Sequence, residues 1–312
     1  EDMEARFVRI NRSPIPTGID KIDAKDILNG GLGKGEIGVI TAPTGVGKSH
    51  MLVNLGCAAI KNGFNVIHYT FELTETATGL RYDSNICQIP SNQVPERKEE
   101  VIEYYKEHGE KLGKLMIKEY PTGTATVQTL RSHIEKLSLK GFIPQVLIID
   151  YADIMRSSRQ YDSMRHELKK VYEDLRNLAM EKNLPIWTAS QSNRDSANSD
   201  IVGLENMAES YGKAQVADVV ISISRKPAEK AEGFGRLYIA KNRAGRDGIV
   251  FPVKLNTAMS RFSILENSEE MSFMEAKKKN EGDLKALLQK KWKQVSKVEV
   301  KNNNNEKEEG ES

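Results

Sequence analysis

Short apolar runs alternate with longer amphipathic stretches from Ile37 to about Leu265. The short runs are apolar at nearly every position, which is typical of strands buried on both faces of a sheet. They predict six strands, at Ile37–Thr41, Val66–Phe71, Leu115–Lys118, Val146–Ile149, Ile186–Ala189 and Val219–Ile223. Helices are predicted between them, for example at Lys48–Lys61, Val127–Leu137 and Ser163–Lys182. This alternation predicts an α/β fold with a mostly parallel sheet that is covered by helices on both faces.

Three strand-like runs without intervening helices follow the alternating part of the chain. They are Arg236–Lys241, Val250–Leu255 and Arg261–Leu265. The polar segment Arg243–Gly248 between the first two is typical of a hairpin turn. The sheet is therefore expected to end in an antiparallel C-terminal edge.

Composition divides the chain into three segments. Residues 1–16 are expected to be an extended lead-in, because Pro14 and Pro16 disfavour helix in the residues before Thr17. Residues 17–265 hold all the predicted strands and are expected to form one domain. Residues 266–312 are rich in lysine and then low in complexity (NNNNEKEEGES), so they are expected to form a tail that ends in disorder.

The charge balance limits the classes of partner. Lys and Arg number 46 and Asp and Glu number 44, which gives a formal net charge of +2 over 312 residues. A histone-like polycation is excluded, so any contact to nucleic acid has to come from a local basic cluster. No stretch approaches the roughly 20 apolar residues of a membrane-spanning helix, and the N-terminal residues lack the apolar core of a signal peptide. Two cysteines form no disulfide framework or metal site, and the composition indicates a soluble cytoplasmic protein without a membrane partner.

One segment carries a phosphate-binding motif. It follows the first predicted strand, opens the first predicted helix and reads APTGVGKS, with alanine where the first glycine is usual. Glycine lets backbone N–H groups curl around phosphate oxygens, and the helix N-terminus adds partial positive charge. Lys48 is expected to reach the β- and γ-phosphates and the Ser49 hydroxyl to ligate Mg²⁺; a chance glycine-rich turn is the alternative. We therefore predict binding of ATP and Mg²⁺ by Ala42, Pro43, Thr44, Gly45, Val46, Gly47, Lys48, Ser49 and His50.

Three polar residues stand at the carboxyl ends of predicted strands, beside the phosphate loop. Asp150 is expected to hold Mg²⁺ through water, although strands also end in Asp for turn reasons. Glu72 is placed to orient and deprotonate the attacking water, the alternative being a helix cap for the run beginning at Thr74. Gln191 is placed to sense the γ-phosphate, the alternative being a solvated loop residue.

Two basic residues at the predicted hairpin lie far along the chain from the phosphate loop. Lys241 and Arg243 are candidates to complete the nucleotide site of a neighbouring subunit, with Arg243 as an arginine finger. An ordinary charged hairpin tip is the alternative.

Taken in order, these motifs resemble those of the DnaB-type hexameric helicases. The likeness covers about residues 15–260 and rests on TGIDKID (Thr17–Asp23), NGGLGKGEIGVITAPTGVGKS, TFEL, VLIIDY, TASQSNR and YIAKNRAGRDG. Two further stretches, KLMIKEYPTGTATVQTLRSHIEKLSLK and ENMAESYGKAQVADVVI, are similar to the replicative helicases of T-even-type bacteriophages. The resemblance implies a RecA-like P-loop NTPase core that works as a hexameric ring and translocates 5′ to 3′ on single-stranded DNA.

The resemblance also implies roles for particular residues. Glu72 is the catalytic base, Asp150 the magnesium-associated acid, and Gln191 the link between the γ-phosphate and DNA. Lys241 and Arg243 act on the nucleotide of the adjacent subunit. Primase and a helicase loader are implied partners. No primase-engaging domain of the kind usual in the family precedes residue 15, so either it was removed or the protein works without it.

Two DNA-binding loops in a central channel are implied by position, near Arg156–Arg165 and Asn193–Lys213. Their candidate contacts are Arg156, Arg159, Arg194 and Lys213, for which ordinary solvated loop charges are the alternative. Two other functional classes use the same core: a RecA/RadA- or KaiC-like ATPase of recombination or signalling, and a scaffold that binds nucleotide without hydrolysis. The pair Glu72 and Gln191 argues against the scaffold.

Overall fold

A twisted sheet forms the centre of the domain. The structure, a computed structural model, describes residues 12–193, 199–207 and 211–265. The chain divides into the units Glu1–Ile264 and Leu265–Ser312; the first is described below, and the predicted tail 266–312 lies outside the described residues. Within the described residues the strands are β1 (Ile37–Ala42), β2 (Val66–Thr70), β3 (Leu115–Glu119), β4 (Val146–Asp150), β5 (Ile186–Gln191), β6 (Val219–Ser224), β7 (Phe234–Asn242), β8 (Val250–Asn256) and β9 (Arg261–Ile264).

The strand order combines a parallel part with an antiparallel edge. The described strands are arranged β3-β2-β4-β5-β1-β6-β7-β8-β9. All pairs from β3 to β6 are parallel, and the pairs β6–β7, β7–β8 and β8–β9 are antiparallel. The predicted fold class is confirmed, including the antiparallel C-terminal edge.

Helices connect the parallel strands. The described α-helices are α1 (Lys48–Lys61), α2 (Glu75–Cys87), α3 (Lys98–His108), α4 (Val127–Leu139), α5 (Met164–Lys182), α6 (Tyr211–Val216) and α7 (Pro227–Glu232). Hydrophobic periodicity predicts neither α2 nor α3, because neither carries a clear apolar stripe; α3 buries only Val101. The beginning of α2 is set instead by Thr74, whose hydroxyl accepts a hydrogen bond from the N–H of Ala77 at 3.1 Å. No described helix combines the length and the apolarity that crossing a membrane requires.

Two apolar cores lie on the two faces of the sheet. Alternate residues of β1 point to opposite faces: Ile40 and Ala42 belong to one cluster, and Ile37 and Val39 to the other. Helix α1 fills the first cluster with Met51, Leu52, Val53 and Leu55. Helix α5 fills the second through the apolar stripe of its sequence, with Val171, Tyr172, Leu175, Leu178 and Ala179. Helices thus cover both faces, as the alternating pattern predicts.

The described end of the predicted lead-in is attached to the domain. Ile15 and Leu32 exchange backbone hydrogen bonds of 2.9 and 3.0 Å. The Arg12 guanidinium forms an ion pair of 2.7 Å with Glu36, just before β1. Residues 12–16 are therefore packed against the domain rather than free of it.

The parallel strands bring their carboxyl ends to one edge of the sheet. The register places Ala42 beside Gln191 and Thr70 beside Asp150. The order reverses around β1, which lies between β5 and β6, and such reversals open the crevice in which α/β proteins bind ligands.

Candidate active site

The loop between β1 and α1 has the backbone form of a phosphate cradle. Gly45 and Gly47 have φ angles of 71° and 127°, which residues with a side chain rarely adopt. At Gly47 a Cβ would also come within 2.9 Å of the Leu255 side chain. Ala42, in the usual glycine position, is the last residue of β1 and pairs with Gln191 in extended backbone, so its methyl group is accommodated.

The Lys48 ammonium lies within this loop. It donates hydrogen bonds to the carbonyl oxygens of Ala42, at 3.1 Å, and Pro43, at 3.2 Å. Burial lowers the pKa of Lys48, and the nearby charges of Glu72 and Asp150 oppose that shift. The loop therefore holds the Lys48 ammonium against its own backbone, which suits an anionic ligand such as phosphate.

A cavity of about 330 Å³ opens beside the loop. The residues of its wall include several that the sequence predicts for the site: Thr44, Gly45, Gly47, Lys48, Ser49, His50, Glu72 and Gln191. The His50 ring accepts or donates a 2.8 Å hydrogen bond to Ser260, and burial lowers the pKa of His50 to about 4, so it is a neutral wall residue at pH 7.

Asp150 ends β4 beneath this cavity and is 2% exposed. Its Oδ1 atom has no hydrogen-bond partner in the described residues. Burial raises the pKa of Asp150 to about 6; a hydrogen bond with Ser49 opposes the rise, whereas the charge of Glu72 adds to it. A divalent cation with a preference for oxygen ligands would supply the missing partner, so Asp150 and Ser49 fit Mg²⁺.

Glu72 is an exposed carboxylate in the cavity wall, two residues after β2. The alternative role of helix cap is excluded, because Thr74 caps α2. Gln191 does not have the environment of a solvated loop residue either. Its Nε2 donates to the Thr44 hydroxyl at 2.7 Å, so the last residue of β5 is bonded to the phosphate loop itself.

Three basic residues that the sequence pattern did not indicate also line the wall: Arg81 from α2, Arg225 after β6 and Lys230 from α7. Burial lowers the pKa of Arg81, and the charges of Asp150 and Glu72 oppose that shift. The Arg225 guanidinium donates to the carbonyl oxygens of Phe234 and Lys230 at 2.8 and 3.2 Å. Arg225 carried a usable signal, since it directly follows a buried parallel strand; Arg81 did not, because α2 has no clear periodicity.

Lys241 and Arg243 do not line this cavity. The Lys241 ammonium donates to the carbonyl oxygens of Ala214 and Ala217, both at 2.7 Å, at the end of α6. Arg243 donates to the Gln215 carbonyl oxygen at 2.7 Å, and its side chain remains 47% exposed. Their action on a neighbouring subunit stays a prediction.

The predicted DNA contacts fall into three groups. Arg156 and Arg159 are exposed in the segment after β4. Arg194 lies outside the described residues. Lys213 corrects the expectation: its side chain is 1% exposed and forms an ion pair of 2.9 Å with Asp153. A side chain in this environment cannot contact a DNA phosphate without leaving its partner, which the charge pattern alone could not reveal.

A strand, a glycine-containing loop, a helix N-terminus and carboxylates at the ends of neighbouring strands are the parts with which P-loop proteins bind nucleotides. The chain belongs to the family described as DnaB-like helicase C-terminal domain, whose sequence model matches residues 14–264. This confirms the resemblance found in the sequence.

Individual relatives agree with the family match. The chain is 30% identical over 232 residues to a DnaB-like replicative helicase of Enterobacteria phage T4, covering 72% of this chain and 49% of that protein. It is 26% identical over 243 residues to the replicative DNA helicase DnaB of Leifsonia xyli subsp. xyli, covering 74% and 52%. The chain thus spans about half the length of the relatives it matches.

Solved structures share the fold. One, described as an ATPase domain, superposes with a TM-score of 0.70 at 18% identity, covering 84% of this chain and 95% of that one. A DnaB-like replicative helicase, solved in a study of its interactions with primase, gives 0.71 at 16% identity, covering 85% and 67%. The RadB recombinase gives 0.53 at 14% identity, covering 81% and 100%. The fold is therefore RecA-like.

Proposed function

We propose that this chain is the motor domain of a replicative DNA helicase, which hydrolyses ATP with Mg²⁺ and moves along single-stranded DNA as a hexameric ring. The observation that carries the proposal is the meeting of Lys48, Ser49, Glu72 and Gln191 in one cavity above the buried Asp150. Many proteins of different function share this core, and membership of the DnaB-like family favours a helicase among them.

The chain's own residues would first bind and orient the nucleotide. The N–H groups of the phosphate loop and the start of α1 donate to phosphate oxygens, and Lys48 exchanges its two loop carbonyl partners for the β- and γ-phosphates. Ser49 and Asp150 hold the magnesium site. The bound Mg²⁺ supplies positive charge against the phosphates.

Hydrolysis would then use Glu72 and Gln191. The Glu72 carboxylate is exposed to the cavity, where it accepts a proton from the attacking water. Gln191 would contact the γ-phosphate, and the hydrogen bond from its amide to Thr44 of the phosphate loop supports this role. Arg81 and Arg225 add positive charge at the wall of the cavity.

The ring would complete each site from the adjacent subunit. Lys241 and Arg243 lie away from the cavity of their own chain, and the exposed part of Arg243 is available to a neighbour. Single-stranded DNA would bind the stretches Arg156–Arg165 and Asn193–Lys213, with Arg156 and Arg159 as phosphate contacts; the exposure of both arginines supports this. Primase and a loader are the proposed protein partners, in the cytoplasm of a bacterium or a phage-infected host.

Glu72→Gln tests the assignment of the base. Nucleotide binding should persist, whereas DNA-stimulated ATP turnover should fall by about 10²–10⁴-fold, which is the usual contribution of a general base. Glu75→Gln is the matched control, because Glu75 is an exposed carboxylate of the same segment that pairs with Lys118 outside the cavity. Wild-type turnover in Glu72→Gln would contradict the proposal.

Arg243→Ala tests the ring. The variant should be inactive alone and should depress wild-type activity more than proportionally when the two are mixed. A linear dilution of activity on mixing would exclude a residue that acts on the adjacent subunit.

A recombinase is the second candidate, since the RadB fold is also similar. The two functions differ in their product. A helicase displaces one strand of a forked duplex in the presence of ATP, whereas a recombinase exchanges strands between homologous DNA molecules. Strand exchange without fork unwinding would replace the helicase proposal.

A further inference from the structure

Asp153, a second carboxylate close to the cavity, has hydrogen-bond or ion-pair partners within the chain at both of its oxygens. Oδ1 of Asp153 accepts a hydrogen bond from the Tyr172 hydroxyl at 2.8 Å. Oδ2 accepts hydrogen bonds from the Ser190 hydroxyl at 3.0 Å and from the backbone N–H of Gln191 at 3.1 Å. The same oxygen lies 2.9 Å from the Lys213 ammonium. One side chain therefore joins α5, the end of β5 and α6.

Lys213 is the member of this cluster that comes from α6. Its side chain is 1% exposed, and its ammonium also donates to the Ser190 hydroxyl at 3.2 Å. The ammonium lies 5.9 Å from the centre of the Tyr172 ring. Because a buried ammonium is tolerated only when it is paired, this ion pair ties α6 to the turn that carries Asp153.

The cluster also reaches the phosphate loop. Asp153 holds the backbone N–H of Gln191, and the Gln191 side chain donates to the Thr44 hydroxyl at 2.7 Å. Thr44 lies in the wall of the nucleotide cavity. Hydrogen bonds and an ion pair therefore connect Thr44 to the end of β5, and the end of β5 through Asp153 to Lys213.

We propose that Asp153 and Lys213 are a positioning pair that transmits the occupancy of the phosphate loop to α6. Neither side chain touches nucleotide or DNA in this role. The inference rests on the proposed function at one point, which is the binding of single-stranded DNA by the stretch that ends in α6.

The direction of the effect follows from linkage. Coupling between two binding sites is reciprocal, so a pair that carries it affects both ligands. Loss of the pair must weaken the effect of DNA on ATP turnover and, equally, the effect of nucleotide on DNA affinity. Loss of a direct DNA contact would instead weaken DNA binding with or without nucleotide.

Lys213→Met is the variant that separates these effects. It removes the ion pair that joins Asp153 to α6 and leaves the hydroxyl and N–H donors to Asp153 in place. The methionine side chain fills the space of the lysine stem. We expect ATP turnover without DNA to be retained and its stimulation by single-stranded DNA to fall at least about fivefold. Lys170→Met is the matched control, because it breaks a 2.6 Å ion pair with Asp174 within α5 that has no bond to Gln191.

DNA affinity is measured with and without a non-hydrolysable ATP analogue, at several salt concentrations. In Lys213→Met the analogue should no longer tighten DNA binding, and the salt dependence without nucleotide should equal that of the wild type. A salt slope reduced by about one would make Lys213 a phosphate contact and overturn the proposal. The proposal would also fail if nucleotide affected DNA affinity in Lys213→Met as strongly as in the wild type, or if Lys170→Met lost this effect equally. The pair would then have a structural role only.

Amide hydrogen exchange tests the transmission without DNA. Binding of the ATP analogue to the wild type should slow exchange in Tyr211–Val216, and Lys213→Met should abolish that response while retaining the response in Lys48–Lys61. Unchanged exchange in α6 of the wild type would overturn this inference. Absence of DNA stimulation in the wild type would instead overturn the proposed function, so the two failures are distinguishable.

Discussion

Two carboxylates three residues apart have opposite environments. Asp150, at the end of β4, has an oxygen without a partner in the described part of the chain, and burial raises its pKa to about 6. Asp153, in the next turn, receives three hydrogen bonds and an ion pair from the chain. Asp150 ends the apolar strand that Asp153 follows, and both are acidic residues at the same edge of the sheet.

The difference separates a site prepared for a ligand from a site that is complete. An unpaired carboxylate oxygen in the interior is costly, and it persists where an external partner completes its coordination. A carboxylate with all its partners inside the chain holds elements together instead. On this criterion Asp150 fits the proposed magnesium site, and Asp153 fits the proposed role of positioning Gln191.

The largest expected effect is on stability at Asp153. Asp153→Ala leaves the Lys213 ammonium buried without its partner and should lower the free energy of unfolding by about 3–5 kcal/mol. The double variant Asp153→Ala/Lys213→Met should recover part of that loss, because the uncompensated charge is gone. Urea unfolding of the wild type and the two variants, followed by circular dichroism, measures both the loss and the recovery. Equal stability of Asp153→Ala and the double variant would contradict the importance of the ion pair.

The Asp153 carboxylate is expected to stabilise the fold, whereas the Asp150 carboxylate is expected to destabilise it. The cost of burying Asp150 should appear in the pH dependence of the free energy of unfolding. Its ordinary pKa is 3.8 and its folded pKa about 6, so between these values the folded protein keeps a proton that the unfolded chain has lost. The free energy of unfolding should therefore fall as pH rises from about 4 to about 6, by up to about 3 kcal/mol, and this contribution should stay constant above pH 6.

Asp150→Asn provides the reference for this measurement, because its side chain does not titrate. Urea unfolding of both proteins between pH 4 and 7, in the presence of a chelator, gives the difference at each pH. A difference that does not change with pH would mean that Asp150 is not destabilised by its burial.

Catalysis should also distinguish the two carboxylates. Asp150→Asn should lower Mg²⁺-dependent ATP turnover by about 10–100-fold, as loss of an outer ligand to a metal usually does. The variant should fold normally, since the unpaired charge is removed. Steady-state turnover against Mg²⁺ concentration checks this, and an unchanged Mg²⁺ dependence would remove Asp150 from the magnesium site.

The smallest effect is expected at the surface. Glu75 and Lys118 form an ion pair of 3.2 Å with both side chains exposed. Glu75→Gln should change the free energy of unfolding by only about 0.2–1 kcal/mol, because water and salt screen such pairs. The same urea unfolding measurement gives the reference value with which the changes in free energy of unfolding at Asp150 and Asp153 are compared. A loss as large as that of Asp153→Ala would undermine burial as the cause of the difference.

Local sequence was sufficient for features carried by contiguous residues. The strands β1 and β4 could be predicted because strands buried on both faces read as continuous apolar runs. Helix α5 could be predicted because a helix buried on one face repeats its apolar residues every three to four positions. The phosphate loop is equally local, since glycines, lysine and serine act from one strand–loop–helix unit. Parallel pairing then follows from the helices between strands, and it brings Glu72, Asp150 and Gln191 to one edge.

Tertiary structure decided what depends on residues distant in the chain. Arg81 and Arg225 enter the cavity wall only because α2 and β6 pack beside the phosphate loop. Lys213 and Asp153 are far apart in the sequence, and before folding their charges are equivalent to those of any solvated loop. Whether a charge meets DNA, a metal or an internal partner depends on which side chains surround it after folding, and a one-dimensional pattern contains no distances between them.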